Sequence, residues 1–205
     1  MHNLLYILNI LIGAIVAITL HEYVKALISY KLGDPLPKAR GRLTLNPLNH
    51  FEPIGFICMA FTGYGWGKPV PTSPTYYKDR KKGILLTYIS PSIANLATGI
   101  LLSMTAKFFY FNIVSTSFPE SVPPPETMPW YALLFAIANA NVALAFFNVI
   151  PVNPLDGAKI LKLHLSPQTQ VKYTSYEQIF QVILLIALFT GWIAMILRPL
   201  QKVFL

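Results

Sequence analysis

Residues 4–30 read LLYILNILIGAIVAITLHEYVKALISY. No charged residue occurs from Leu4 to Leu20. Continued as one helix, the stretch meets the roughly 20 apolar residues needed to cross a bilayer. His21, Glu22 and Lys25 then fall in the second half of a spanning helix, where ionisable groups are rare and mark function by default. The run lacks a basic leading region and an A-x-A-like site and passes directly into the charged stretch. It reads as a retained helix rather than a cleaved leader.

Composition extends that reading to the whole chain. Of 205 residues, 54 % are hydrophobic and 12 % charged, with mean hydropathy +0.52, whereas soluble domains carry about 25 % charged residues. The length suggests one domain, residues 1–205, embedded in a bilayer. The one cysteine, Cys58, excludes an intramolecular disulfide and a thiolate metal cluster. It reads as a small buried hydrophobe.

The net charge of +8 is placed rather than spread. Lys31, Lys38, Arg40 and Arg42 follow the first apolar run, and Lys78, Arg80, Lys81 and Lys82 precede the next. Lys159, Lys162 and Lys172 follow a later one, whereas residues 112–130 hold no Lys or Arg and carry Glu120 and Glu126. This is a topology signal, not a nucleic-acid patch. It implies a multi-pass protein of the cell membrane, in contact with the lipid bilayer, with an external N-terminus and the charged end of the first helix toward the cytoplasm.

Four stretches are expected to span: 4–30, 83–113 (interrupted at Ser90-Pro91-Ser92), 130–150 and 178–197. The last would put Arg198 and Lys202 outside, against the rule, so either that helix is not a full span or two charges are too few to matter. Residues 41–75 are different. Pro53 to Ala60 is apolar but too short to cross, and Gly63-Tyr64-Gly65-Trp66-Gly67-Lys68-Pro69-Val70-Pro71 breaks any helix. Irregular backbone at membrane depth survives only against protein or a wet cavity, so a re-entrant loop or short hairpin is expected. Tyr64 and Trp66 there suit the membrane interface. Residues 117–129 read as an extended proline-rich loop.

The chemistry centres on His21-Glu22-Tyr23-Val24-Lys25. In H-E-x-x-H two histidines on one helix face bind zinc, and the glutamate activates the metal-bound water. Here Lys25 stands at the second histidine's position, four residues after His21, and its ammonium repels a metal. A second feature is Asn148 to Gly157, NVIPVNPLDG, at the end of the third apolar run. Asp156 there is either a metal ligand or cation partner, or a turn aspartate.

These elements together resemble the site-2 protease family of intramembrane zinc metalloproteases, across most of residues 13–163. The family's H-E-x-x-H-A is matched by His21 to Ala26 with Lys25 in place of the second histidine. Its G-R-L-T-L-N-P-L-x-H is matched intact by Gly41 to His50, followed by Glu52-Pro53-Ile54-Gly55, and its G-W-x-K-P-V-P by Gly65 to Pro71. Its A-G-P-x-A-N is altered in Ile89 to Asn95, and its N-x-x-P-x-x-P-L-D-G is matched by Asn148 to Gly157, with Asn141 at an upstream family asparagine. The resemblance implies an all-α polytopic membrane fold with a site-2-protease-like helical core. It implies that His21 and Asp156 stand at zinc-ligand positions, that Glu22 is the general base, and that Asn95, Asn141, Asn148 and His50 line the site.

With Lys25 at the second ligand position, two protein ligands remain where a catalytic zinc takes three and a water. The expectation is therefore a vacant metal site with Glu22 a vestigial base, no resident cofactor, and Lys25 either a counter-ion between Glu22 and Asp156 or a side chain snorkelling to the interface. His50 belongs to the loop pattern in intact members as well, so it does not signal a replacement ligand. His2 and His164 are read as incidental. The function expected is a pseudoprotease that binds the transmembrane segment of a partner membrane protein, as a scaffold or a subunit of a larger membrane complex. The alternative is an active zinc protease with an altered ligand set. A third is a small transporter using Glu22, Lys25 and Asp156 as a charge relay.

Overall fold

A computed structural model describes residues 2–114 and 124–205. Glu120 and most of the proline-rich stretch expected at 117–129 lie outside the described residues, as does the side chain of Glu126. The described residues form helices and loops, with no strand among them.

Helix α1, His2–Lys31, is continuous through the charged stretch. After a single turn α2, Leu36–Ala39, the chain reaches α3, Pro53–Thr62. Pro53 opens α3 where its missing N–H costs nothing. Glu52 caps it by accepting from the Gly55 N–H at 2.5 Å, which satisfies one of the orphan donors of the first turn. With 10 residues, α3 is too short to cross. The chain then runs without helix from Gly63 to Ser73 before a single 3₁₀ turn at Pro74–Tyr76.

Helix α4, Arg80–Phe109, starts under an Asp79 cap, with Lys82 N–H donating to Oδ1 at 3.0 Å. Here the structure corrects the sequence reading. Ser90-Pro91-Ser92 does not interrupt the helix, and Pro91 lies inside it. One missing N–H frees one carbonyl a turn back, which neighbouring helices and hydroxyls can offset. α4 ends in a π turn at Tyr110–Val114. Helix α5, Pro129–Phe147, again opens on a proline, and ends three residues before the expected boundary.

Short helices α6, Asp156–Lys162, and α7, Pro167–Ser175, follow. The expected fourth span is two helices, α8, Glu177–Phe189, and α9, Trp192–Phe204, bent by 68° at Thr190-Gly191. Gly191 sits at φ 82, a left-handed conformation that costs a side chain about 1–2 kcal/mol and glycine almost nothing. That residue turns the chain, so the last span is not straight.

α1, α4 and α5 are long and apolar enough to cross a membrane, and the bent pair makes a fourth candidate. These three pack against one another as the central bundle. Small residues allow the close approach typical of membrane helices: a Cβ on Gly99 of α4 would sit 2.5 Å from Val142 Cγ2 of α5. The outer faces stay apolar and exposed, as at Leu101, Met104 and Phe108, which suits lipid as solvent. A second core joins Cys58 of α3, Tyr64, Phe147 and Leu155 to Leu184, Leu188 and Leu197 of the bent pair. Both cores flank the charged end of α1.

Candidate functional site

On α1, His21, Glu22 and Lys25 share a face by helical spacing. All three are buried, at 2 %, 3 % and 4 % exposure. Asp156, 3 % exposed, reaches them from the first turn of α6. Its approach depends on the turn after α5. There the Gly157 N–H donates to Asn148 O at 2.7 Å, and a Cβ on Gly157 would fall 2.1 Å from Val149 O. Only glycine permits that contact.

The charged groups close on one another. Lys25 Nζ lies 2.8 Å from Asp156 Oδ1 and 3.0 Å from Glu22 Oε1. Asp156 Oδ2 is 2.9 Å from His21 Nε2, and Glu22 Oε2 accepts the Val70 N–H at 3.2 Å. Each of the four carboxylate oxygens is therefore engaged. Lys25 points into the protein rather than to the interface. Buried charges in a membrane demand such pairing, because an unpaired ion in low dielectric costs several kcal/mol. Asp156 shows the balance: burial pushes its carboxyl up, but the Lys25 ammonium and the His21 ring outweigh this and hold it below its ordinary range.

The glycine-rich segment forms the wall opposite α6. Its backbone carbonyls are held by Arg42, which donates to Lys68 O at 2.5 Å and Pro69 O at 3.1 Å. The Lys68 N–H donates to His50 O at 2.9 Å, and the Ser73 N–H to Asp34 Oδ2 at 2.6 Å. The segment lies so close that a Cβ on Gly67 would meet Ile18 Cγ2 at 2.6 Å and Glu22 Cγ at 2.9 Å. The "loop" of the sequence reading is thus an extended strap lying directly on α1.

A cavity of about 400 Å³ opens beside the cluster. Glu22, Lys25, Asp156 and Asn148 line it, as the motifs led one to look for. So do Tyr88, Thr72, Lys159 and Gln181, which the sequence reading did not single out. Tyr88 hydrogen-bonds Thr72 through their hydroxyls at 2.8 Å, and its ring lies 6.0 Å from the Lys25 ammonium, at the limit of cation–π contact. The available signal was the row of small and polar residues on α4 (Gly83, Thr87, Pro91, Ser92, Asn95, Gly99), whose spacing marks the buried face beside Tyr88.

Three of the expected lining residues sit elsewhere. Asn95 crosses from α4 to α1, donating to Ala17 O at 3.0 Å, and so fastens two helices. Asn141 donates back to Ile137 O within α5 at 2.9 Å. His50 is buried behind the strap: its Nε2 donates to Thr44 O at 2.7 Å, and Arg42 Nη2 approaches its Nδ1 at 3.4 Å. Both ring nitrogens are used, so His50 is a support for the strap and not a spare ligand. Asn148 lines the cavity while its side chain donates to Leu144 O at 3.1 Å. His164, exposed on its helix end, bonds Ile160 O at 3.1 Å.

A catalytic zinc needs three protein donors and an open position for water. His21 Nε2 and Asp156 Oδ2 face each other as hydrogen-bond partners, and the third position holds an ammonium bonded to both carboxylates. Among the described residues no group of three or more His, Cys, Asp or Glu is arranged to hold a metal ion. The donor set as it stands does not fit a catalytic zinc.

The chain as a whole has clear relatives. The model of "Peptidase family M50" matches residues 6–191. The chain is 30 % identical over 192 residues to "Putative zinc metalloprotease YwhC" of Bacillus subtilis, covering 93 % of this chain and 84 % of that protein. It is 25 % identical over 186 residues to "Putative zinc metalloprotease Rip2" of Mycolicibacterium smegmatis, covering 88 % of this chain and 66 % of that protein. The Rip2 protein of Mycobacterium tuberculosis is also 25 % identical, over 193 residues and 89 % of this chain, with 69 % of its own length covered. No solved structure matches. With a match across both halves of the buried cluster and the strap between them, the chain belongs to peptidase family M50, the site-2 protease family.

Proposed function

We propose that this protein is a pseudoprotease of its family, which holds transmembrane segments of partner membrane proteins without hydrolysing them, as a scaffold or a subunit of a larger membrane complex. The observation that carries this reading is the position of Lys25 Nζ, 2.8 Å from Asp156 and 3.0 Å from Glu22. A general base must be free to take a proton from a metal-bound water. Glu22 instead bonds the ammonium through one oxygen and the strap through the other. The cluster is charge-paired without a divalent cation, and zinc would have to displace a buried ammonium to enter.

What remains supports binding. The strap still lies along α1, the cavity persists beside the cluster, and the apolar flanks of the bundle suit association within a bilayer. The distribution of Lys and Arg supports a multi-pass arrangement with this end of α1 toward the cytoplasm.

The test is metal content and proteolysis of the purified protein in detergent. The native chain is expected to hold far less than one zinc per molecule, and Lys25→His to approach one. Stoichiometric zinc in the native chain, together with cleavage of a membrane-spanning substrate that Glu22→Gln abolishes, would overturn the reading in favour of an active protease.

A further inference from the structure

The bent pair carries two exposed cations that lie outside the buried cluster. Arg198 and Lys202 stand one turn apart on α9, both exposed, and have no ion-pair partner among the described residues. The helix that carries them is firmly placed. Leu197 packs in the second core, Gln201 donates to Tyr64 Oη at 2.8 Å, and Ser103 donates to Leu205 O at 2.8 Å. Around the helix, Trp192, Ile196, Leu200 and Val203 are exposed and apolar. α9 therefore shows a buried edge, a cationic edge and an apolar edge.

Arg198 also borders a cavity of about 470 Å³ between α1, α3, α5 and α9. Its walls are apolar side chains such as Ile10, Phe61 and Phe135, with amides from Asn9 and Asn139, and no carboxylate lines it. On its other side Arg198 shares a shallower groove with Lys202, again without an acidic residue. An apolar recess bordered by Arg198, with Lys202 one turn further along in the adjoining groove, is complementary to one kind of membrane molecule: an acyl chain joined to an anionic phosphate.

We propose that α9 lies along the membrane interface rather than crossing the bilayer, and that Arg198 and Lys202 bind the phosphate of an anionic phospholipid whose chain enters the recess beside α1 and α5. The 68° turn at Gly191 takes α9 off the line of α8. A helix with one apolar edge, a tryptophan and a cationic edge is the pattern of an interfacial helix. Basic groups are drawn to an anionic leaflet by its surface potential. The proposal is independent of the zinc question.

Delipidated protein in neutral detergent supplies the test. Phosphatidylglycerol in mixed micelles is expected to raise Tm by about 5 °C, and phosphatidylcholine by much less. The double variant Arg198→Gln/Lys202→Gln should lose the difference while keeping its lipid-free Tm. If that variant does not fold, the single variant Lys202→Gln, which leaves the core contacts untouched, should reduce it. An equal rise with phosphatidylcholine, an unchanged rise in the variants, or the same rise with inorganic phosphate alone would each overturn the assignment.

Discussion

Lys25 on α1 and Asp156 on α6 meet at 2.8 Å, Nζ to Oδ1, and both are less than 5 % exposed. With the His21–Asp156 bond, the pair ties the first helix to the turn that follows α5, and the same ammonium also holds Glu22. Removing it strands two buried carboxylates. Breaking one side of a buried ion pair typically costs about 3–5 kcal/mol, more than the pair itself contributes over an apolar replacement.

Lys25→Met is therefore expected to destabilise the protein by about 3–5 kcal/mol, read as a fall in Tm in detergent. The triple variant Lys25→Met/Glu22→Gln/Asp156→Asn should recover much of the loss, because no charge is then left unpaired. A single variant within about 0.5 kcal/mol of the native chain, the range of ordinary surface changes, would show that the ammonium is not a structural counter-ion.

The reach of the sequence differed between helix and site for a physical reason. Apolar runs of spanning length are a long-window signal, so the all-helical membrane class follows directly from composition and from residues 4–30. What stayed hidden was local. Pro91 suggested a break, but a helix surrounded by other helices retains its ladder around one missing donor. Gly191 is a single residue in an apolar stretch, and its left-handed φ of 82, not its hydropathy, decides that the last span bends. In the site, His21, Glu22 and Lys25 were legible because helical spacing puts them on one face. Tyr88, Thr72 and Lys159 were not, since each enters the cavity from a different element. Asn95 shows the converse: a polar residue in an apolar helix signals burial with a partner, and that partner here is the Ala17 carbonyl.

The strap gives a second prediction. A Cβ on Gly55 would sit 2.1 Å from Trp66 O, and one on Gly65 would sit 2.0 Å from Gly55 O. Backbone meets backbone, so no side chain can rotate away to relieve the contact. Gly55→Ala should force the strap off α3 at a cost of about 1–3 kcal/mol, the usual range for overpacking. It should also expose residues 63–73 to hydrogen exchange while leaving α4 and α5 protected. Unchanged protection of the strap would mean that it is not seated on α3 as described.

His50 gives the pH dependence. Burial, reinforced by the Arg42 guanidinium, lowers its affinity for a proton below the ordinary value of 6.5, although the bond to Thr44 O acts in the other direction. The partners require the neutral ring with the hydrogen on Nε2, because Nε2 faces a carbonyl and Nδ1 faces a guanidinium donor. A proton added at Nδ1 would point at a fixed positive charge and loosen Arg42 from the carbonyls of Lys68 and Pro69. The unfolded chain takes up its proton near 6.5, and the folded chain only at lower pH. Below 6.5 the unfolded state thus binds more protons, and the contribution of His50 to stability, full above that value, declines as pH falls toward the folded pKa. The decline can reach about 1.4 kcal/mol per pH unit. His50→Gln, whose amide can still donate to Thr44 O, should keep its stability near pH 8 and flatten the curve between about pH 6.5 and 5. Parallel curves for the two proteins in thermal melts would mean that the ring carries no such linkage.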